Sequence, residues 1–176
     1  MWSGNPVLEQ QTRRTAVPPL YTPEQKLRRD STVWTIVQGV LAPLQFAIFV
    51  VSAVLVVRYL LTGEGAVAAT VSIVVKTIAL YTIMVTGSIW EKVVFDRWLF
   101  ADAFFWEDVF SFLVLALHTA YLGMLVGGLG TERGRMLLAL AAYATYAINA
   151  TQFLLKLRAA RLQEAAESAR RRMVAA

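Results

Sequence analysis

Residues 33–61 read VWTIVQGVLAPLQFAIFVVSAVLVVRYLL, a run whose single charged residue is Arg58. A bilayer crossing takes about 20 predominantly apolar residues, and this run exceeds that. Its apolar positions fall on every side of a helix, so it has no broad water-facing surface. Three further stretches have the same character, at residues 66–90, 104–127 and 136–157. The expected fold is therefore all-α: a polytopic membrane protein with four transmembrane helices in a bundle.

The rest of the composition agrees. Of the 176 residues, 57% are hydrophobic and 16% charged. There is no cysteine, which excludes disulfides, thiolate metal sites and cysteine nucleophiles. The net charge of +5 does not indicate a nucleic-acid partner, because the basic residues flank the apolar spans. Arg13, Arg14, Lys26, Arg28 and Arg29 precede the first span; Lys156, Arg158, Arg161, Arg170, Arg171 and Arg172 end or follow the last; Lys92 and Arg97 lie in the second loop. The other side of the membrane holds Arg58, Arg133 and Arg135. By the positive-inside bias, both termini and the second loop are cytoplasmic. The domain reading is a flexible tail over residues 1–20, a membrane domain over 21–157 and a basic C-terminal helix or tail over 158–176. That last segment suits anionic lipid or a neighbouring enzyme. No apolar signal segment opens the chain.

Thr22, Pro23 and Gln25 form a capping-box pattern, which predicts a helix rising from the cytoplasm into the first span. Pro43 removes one backbone donor within that span and is expected to kink it.

Helical spacing then sorts the polar residues. Glu107, Ser111, His118 and Tyr121 share one face of the third span; Thr145, Asn149, Gln152 and Lys156 share one of the fourth. Trp34, Gln38 and Gln45 align on the first span, and Ser72, Lys76 and Ile83 on the second, with Trp90 a heptad further. These stripes must face inward to avoid lipid. At 1.5 Å per residue, Lys76 and His118 both lie about 15 Å below the outer surface. Glu107 is about 17 Å from His118, near the cytoplasmic face. The polar interior is thus expected to open towards the cytoplasm.

Each group has a structural reading beside a functional one. Lys76 can bridge helices through backbone carbonyls. His118, the one histidine, can donate to a carbonyl, or act as a ligand or proton donor. Asn149 and Gln152 can join helices. Trp90, Trp98 and Trp106 can mark the interface, and Asp96 and Arg97 can be interfacial charges. Glu107 and Asp108 fit a structural role least well, because they sit in the aromatic run Phe104–Phe105–Trp106. A carboxyl buried beside another acid can keep its proton near neutral pH.

Taken together, YTPEQKLRRD at 21–30, WTIVQGVLAPLQF at 34–46, VVKTIALYTIMVTGSIWEKVVF at 74–95, FFWEDVFSF at 104–112 and ALHTAY at 116–121 carry a resemblance. The chain resembles the 3-vinyl bacteriochlorophyllide (chlorophyllide) hydratase family of bacteriochlorophyll biosynthesis over about residues 20–125. The resemblance implies a hydro-lyase that adds water to the 3-vinyl group of a magnesium chlorin, giving a 3-(1-hydroxyethyl) group. It implies a multi-pass protein of the bacterial inner, intracytoplasmic photosynthetic membrane, with no cofactor beyond the substrate's own magnesium.

The chemistry needs an acid, a base, a placed water and a flat apolar slot. Glu107 and Asp108 are the expected acid and base, with Glu91 a third candidate. Phe104, Phe105, Trp90, Trp106 and Tyr121 are expected to wall the slot. His118 is the candidate ligand to the substrate magnesium, and Lys92 or Lys76 the partner of its propionate. Gln38, Asn149 and Gln152 complete the expected substrate-binding set. Two rival readings are a proton or solute carrier and a non-catalytic protein that holds pigment or assists photosystem assembly. Beyond substrate and bilayer, the candidate partners are a neighbouring pathway enzyme or a second copy of the chain, as a homo-oligomer.

Overall fold

The computed structural model describes residues 20–175, so the expected tail at 1–20 lies almost wholly outside the described residues. Five helices follow one another: α1 (Pro23–Ser31), α2 (Val33–Thr62), α3 (Ala66–Phe95), α4 (Phe105–Val126) and α5 (Glu132–Ala175). No strand occurs among the described residues. The last four helices are each long and apolar enough to cross a membrane.

The capping box forms as its pattern predicts. Thr22 Oγ1 accepts from the Gln25 N–H at 3.2 Å, and Gln25 Oε1 accepts from the Thr22 N–H at 2.9 Å. The helix does not continue into the membrane, however. Thr32 is extended, at φ −86° and ψ 137°, and closes α1 while its side chain caps α2. The Thr35 hydroxyl donates to the Arg29 carbonyl at 2.6 Å and holds the corner. This corrects the expected single helix: side-chain hydroxyls satisfy the backbone groups that continuation would have paired. α2 itself runs on through Pro43.

α2 packs on α3 and α4 on α5, as two antiparallel hairpins. Contacts of α2 with α5 and of α3 with α4 close the ring, and α3 also meets α5 across it. The turn between α2 and α3 is tight because Gly63 and Gly65 take φ of 76° and 84°, which residues with a Cβ adopt poorly. The outer half of the core is Val56, Ala69, Ile73, Tyr121, Met136, Ala139 and Tyr143; Leu80, Val114 and Tyr146 continue it inward. Val54, Val67, Ile78 and Leu154 are exposed on the outside, where long spans meet lipid.

α5 extends well past the expected end of the fourth span at 157, so the C-terminal segment continues that helix. Its extension meets α1. Glu164 pairs with Lys26 at 3.2 Å and with Arg29 at 3.2 Å. Arg29 also lies 4.6 Å over the Tyr21 ring, which stacks on Phe95 at 5.8 Å. Burial there pushes the Tyr21 phenol up from its ordinary pKa. α1 is thereby clamped across the end of the bundle that the charge bias assigns to the cytoplasm.

Candidate active site

The loop over residues 96–104 decides how the acids meet. Asp96 ends α3 in the left-handed region at φ 62°, which turns the chain back. Lys92 reaches Asp96 at 2.7 Å and holds that exposed carboxyl below its usual pKa range. The loop then drops its backbone onto two acids. The Phe100 N–H donates to Asp108 Oδ2 at 2.7 Å, and the Ala101 N–H donates to Glu91 Oε2 at 3.2 Å. Because those two donors are adjacent in the chain, the loop holds the Glu91 and Asp108 carboxyls close to one another. Each residue is only 5% exposed.

Glu107 faces elsewhere. Consecutive helical residues point about 100° apart, so Glu107 and Asp108 cannot share a face. Lys156 of α5 binds Glu107 at 2.6 Å and also donates to the Ala103 carbonyl. The acids therefore separate into a carboxyl pair and an ion pair. Around them lies an aromatic cluster. Trp90 and Phe95 each meet Phe104 edge to face, at 5.7 and 5.8 Å, and Phe104 stacks on Phe153 at 5.9 Å. The Trp90 indole donates to Thr35 at 2.9 Å, which ties the cluster to α2.

One turn deeper, Asn149 donates to Ser111 at 2.8 Å, while its carbonyl oxygen and that of Gln152 are buried without a partner. The Gln45 amide nitrogen is likewise unpartnered. Gln38 donates to Thr86 at 2.8 Å and joins α2 to α3. Such free buried groups suit water, which bonds two to four polar partners at once.

Deeper again are Lys76 and His118, 0% and 1% exposed. Their common level, expected from helical rise, is borne out by shared neighbours. Lys76 Nζ lies 3.7 Å from the centre of the Tyr146 ring, and His118 lies 5.8 Å from Tyr143. Phe49 touches both tyrosines. His118 Nδ1 bonds the Val114 carbonyl at 2.8 Å, so it carries the proton, and Nε2 is left with its lone pair unpartnered. The Tyr143 hydroxyl bonds Ser52 at 2.5 Å, and Ser52 bonds Ser72 at 2.7 Å.

Glu91, Glu107, Asp108, Trp90 and Phe104 thus come together at one end, Asn149 and Gln152 below them, and Lys76 and His118 at the core. Tyr121 belongs to the outer core, far from the acids. Phe105 and Trp106, expected as slot walls, are 43% and 66% exposed on the outside of the bundle, whereas Phe104 is buried inside it. Spacing along one helix did not reveal that its aromatic run straddles two sides. Tyr143, Tyr146 and Ser52 were not singled out from sequence. The signal for the tyrosines was present: Ala142, Tyr146, Asn149, Phe153, Lys156 and Ala160 alternate spacings of four and three, with Tyr143 beside them.

A family model described as 2-vinyl bacteriochlorophyllide hydratase matches residues 21–159. The chain is 67% identical over 150 residues to a protein of Rhodobacter capsulatus named 2-vinyl bacteriochlorophyllide hydratase, covering 85% of this chain and 87% of the other. It is 66% identical over 151 residues to a protein of the same name from Cereibacter sphaeroides, covering 84% and 92%. No solved structure matches it.

Proposed function

Because the chain belongs to the 2-vinyl bacteriochlorophyllide hydratase family, we propose that it adds water across the ring vinyl group of a magnesium chlorin. The 2-vinyl and 3-vinyl names denote one substituent under two ring-numbering conventions. A proton goes to the terminal vinyl carbon, and the electron pair of the double bond forms the new C–H bond. The cation left on the inner carbon is delocalised into the macrocycle. Water attacks that carbon and gives one of its protons to a base. The product is a 1-hydroxyethyl group, and no electrons enter or leave, so the reaction requires no redox cofactor.

The observation that carries the assignment of roles is that neighbouring N–H groups of one loop, those of Phe100 and Ala101, hold the buried Asp108 and Glu91 carboxyls together. A carboxyl pair sharing one proton supplies acid and base together: one member protonates the vinyl carbon and the other receives the proton of the attacking water. Glu107, neutralised by Lys156, has a positioning role, holding α4 to α5 and the loop. The free carbonyls of Asn149 and Gln152 support a water path to the pair from the protein interior. Lys92 is the better partner for a propionate, because Lys76 is sealed in the core. The magnesium belongs to the substrate, and His118 Nε2 is the free nitrogen that would ligate it if the ring reached the core. The membrane in this reading is the photosynthetic inner membrane, and access from the bilayer spares an apolar ring a fully aqueous transit.

The test is turnover of 3-vinyl chlorophyllide a by purified protein in lipid nanodiscs, followed through the red absorption band. Glu91→Gln with Asp108→Asn should lower kcat by about 10²–10⁴-fold while the protein stays folded. Wild-type turnover by this double variant would remove the pair from the chemistry. Normal pigment retention with no turnover in the unaltered chain would favour the pigment-holding reading instead.

A further inference from the structure

The Glu91–Asp108 pair is covered on one side by the loop residues Phe100 and Ala101, the first of them in an unusual conformation. Phe100 has φ 59°, a region that residues with a Cβ rarely adopt unless their surroundings hold them there. What holds it is its N–H bond to Asp108 Oδ2 at 2.7 Å. Its ring stacks on Phe112 at 5.4 Å with 12° between the planes, and lies 5.7 Å from Phe105. Phe105, Asp108 and Phe112 follow one another at spacings of three and four, so they share a face of α4. The Phe105 and Phe112 rings therefore flank Asp108 a turn to either side, and the Phe100 ring bridges them above its carboxyl. Phe105, Phe112 and the neighbouring Leu113 are all exposed on the outside of the bundle, towards hydrocarbon.

We propose that the chlorin macrocycle binds here, reaching the protein from the bilayer and seating on Phe105 and Phe112 in the place now held by the Phe100 ring. The proposal rests on the hydratase reading and locates its substrate. Three observations single out a flat pigment as the occupant. The interior beside the acids is filled by Phe104, buried among Trp90, Phe95 and Phe153, and a macrocycle is many times larger than any of them. The face offered is aromatic, and a stacked ring already occupies it, which is the arrangement a planar π system prefers. The rim carries the cations Lys92 and Arg97, whose partners Asp96 and Asp102 are largely exposed and readily give way to a propionate.

This placement divides the reactants sensibly. The ring comes from lipid, the water from the Asn149 and Gln152 side, and the carboxyl pair stands between them. Phe100 is on this view a positioning residue and Phe105 and Phe112 are substrate-binding residues.

The experiment uses the full chain in nanodiscs with 3-vinyl chlorophyllide a. A benzophenone amino acid is placed at position 105 or 112, or at the control position 54, where Val54 of α2 is also exposed to lipid. Irradiation should give a covalent pigment adduct at 105 and 112 and little at 54. In steady-state turnover, Phe112→Ala should raise KM roughly three- to tenfold. Phe100→Gly, which removes the occupying ring and suits the left-handed backbone, should lower KM by a similar factor. Equal adducts at all three positions, or turnover by wild-type protein with no adduct at 105 or 112, would overturn the proposal, as would a raised KM in Phe100→Gly. Adducts at 105 and 112 in a chain that makes no hydroxyethyl product would keep the site and sink the hydratase reading.

Discussion

The Glu107–Lys156 pair offers a quantitative check on the division of the acids. The Glu107 side chain is 7% exposed and that of Lys156 is 28% exposed. Lys156→Met leaves a nearly buried carboxyl without its cation and the Ala103 carbonyl without a donor. Breaking a buried pair from one side costs about 3–5 kcal/mol. Because the lysine end is partly wet, the lower figure applies, about 3 kcal/mol. Glu107→Gln strands the ammonium instead, which can turn to water and keep Ala103, at about 1–2 kcal/mol. The double variant loses both charges together and also strands the Ala103 carbonyl, so it should cost about 2–3 kcal/mol, and the pair couples by roughly 2 kcal/mol. Denaturant unfolding in mixed micelles measures the four stabilities, and pigment absorption measures turnover in parallel. The double variant should keep turnover within about fivefold of wild type, since Glu107 only positions α4. Additive stabilities would refute the energetic reading. A loss of turnover as deep as that of Glu91→Gln with Asp108→Asn would refute the positioning role and return Glu107 to the chemistry.

Three further outcomes follow from particular contacts. Lys76→Met removes a buried amine without a hydrogen-bond acceptor and should raise stability by about 1–3 kcal/mol, read by the same unfolding assay; a fall would show that Lys76 has a partner in the native bundle. Tyr143→Phe deletes the hydroxyl bonded to Ser52 at 2.5 Å, while Ser52 keeps Ser72, and should cost about 1 kcal/mol with turnover unaffected. Thr22→Ala removes the hydroxyl that accepts from the Gln25 N–H but keeps the backbone N–H bonded to Gln25 Oε1, and should cost about 1 kcal/mol, visible as faster amide exchange across Pro23–Ser31 and not in the spans.

Much of the site's layout could be read from the chain. Lys76 and His118 were expected at one level because helical rise is nearly constant, and their tyrosine neighbours bear that out. Asn149 and Lys156, expected on one inward face of the last span, do both reach the third, at Ser111 and Glu107. The pairing of the acids could not be read. Adjacent in sequence, Glu107 and Asp108 suggested a pair, yet the helical screw sends one to Lys156 and the other to Glu91. The break at Thr32 was also missed, because a good N-cap beside a hydroxyl-rich stretch fits a continuing helix as well as a stopped one.

By itself the sequence determined the class of molecule. Hydrocarbon tolerates only chain whose backbone is internally paired and whose side chains are apolar, so four long apolar runs are sufficient to specify four helices. It also determined depth and which residues share a face, since both depend on the geometry of a single helix. What only the tertiary structure decided is how each helix is rotated against its neighbours and how the loop over residues 96–104 folds back. Those two choices bring Glu91 to Asp108 and set Phe100 over them. They depend on packing between elements far apart in the chain, which no spacing within one element can encode.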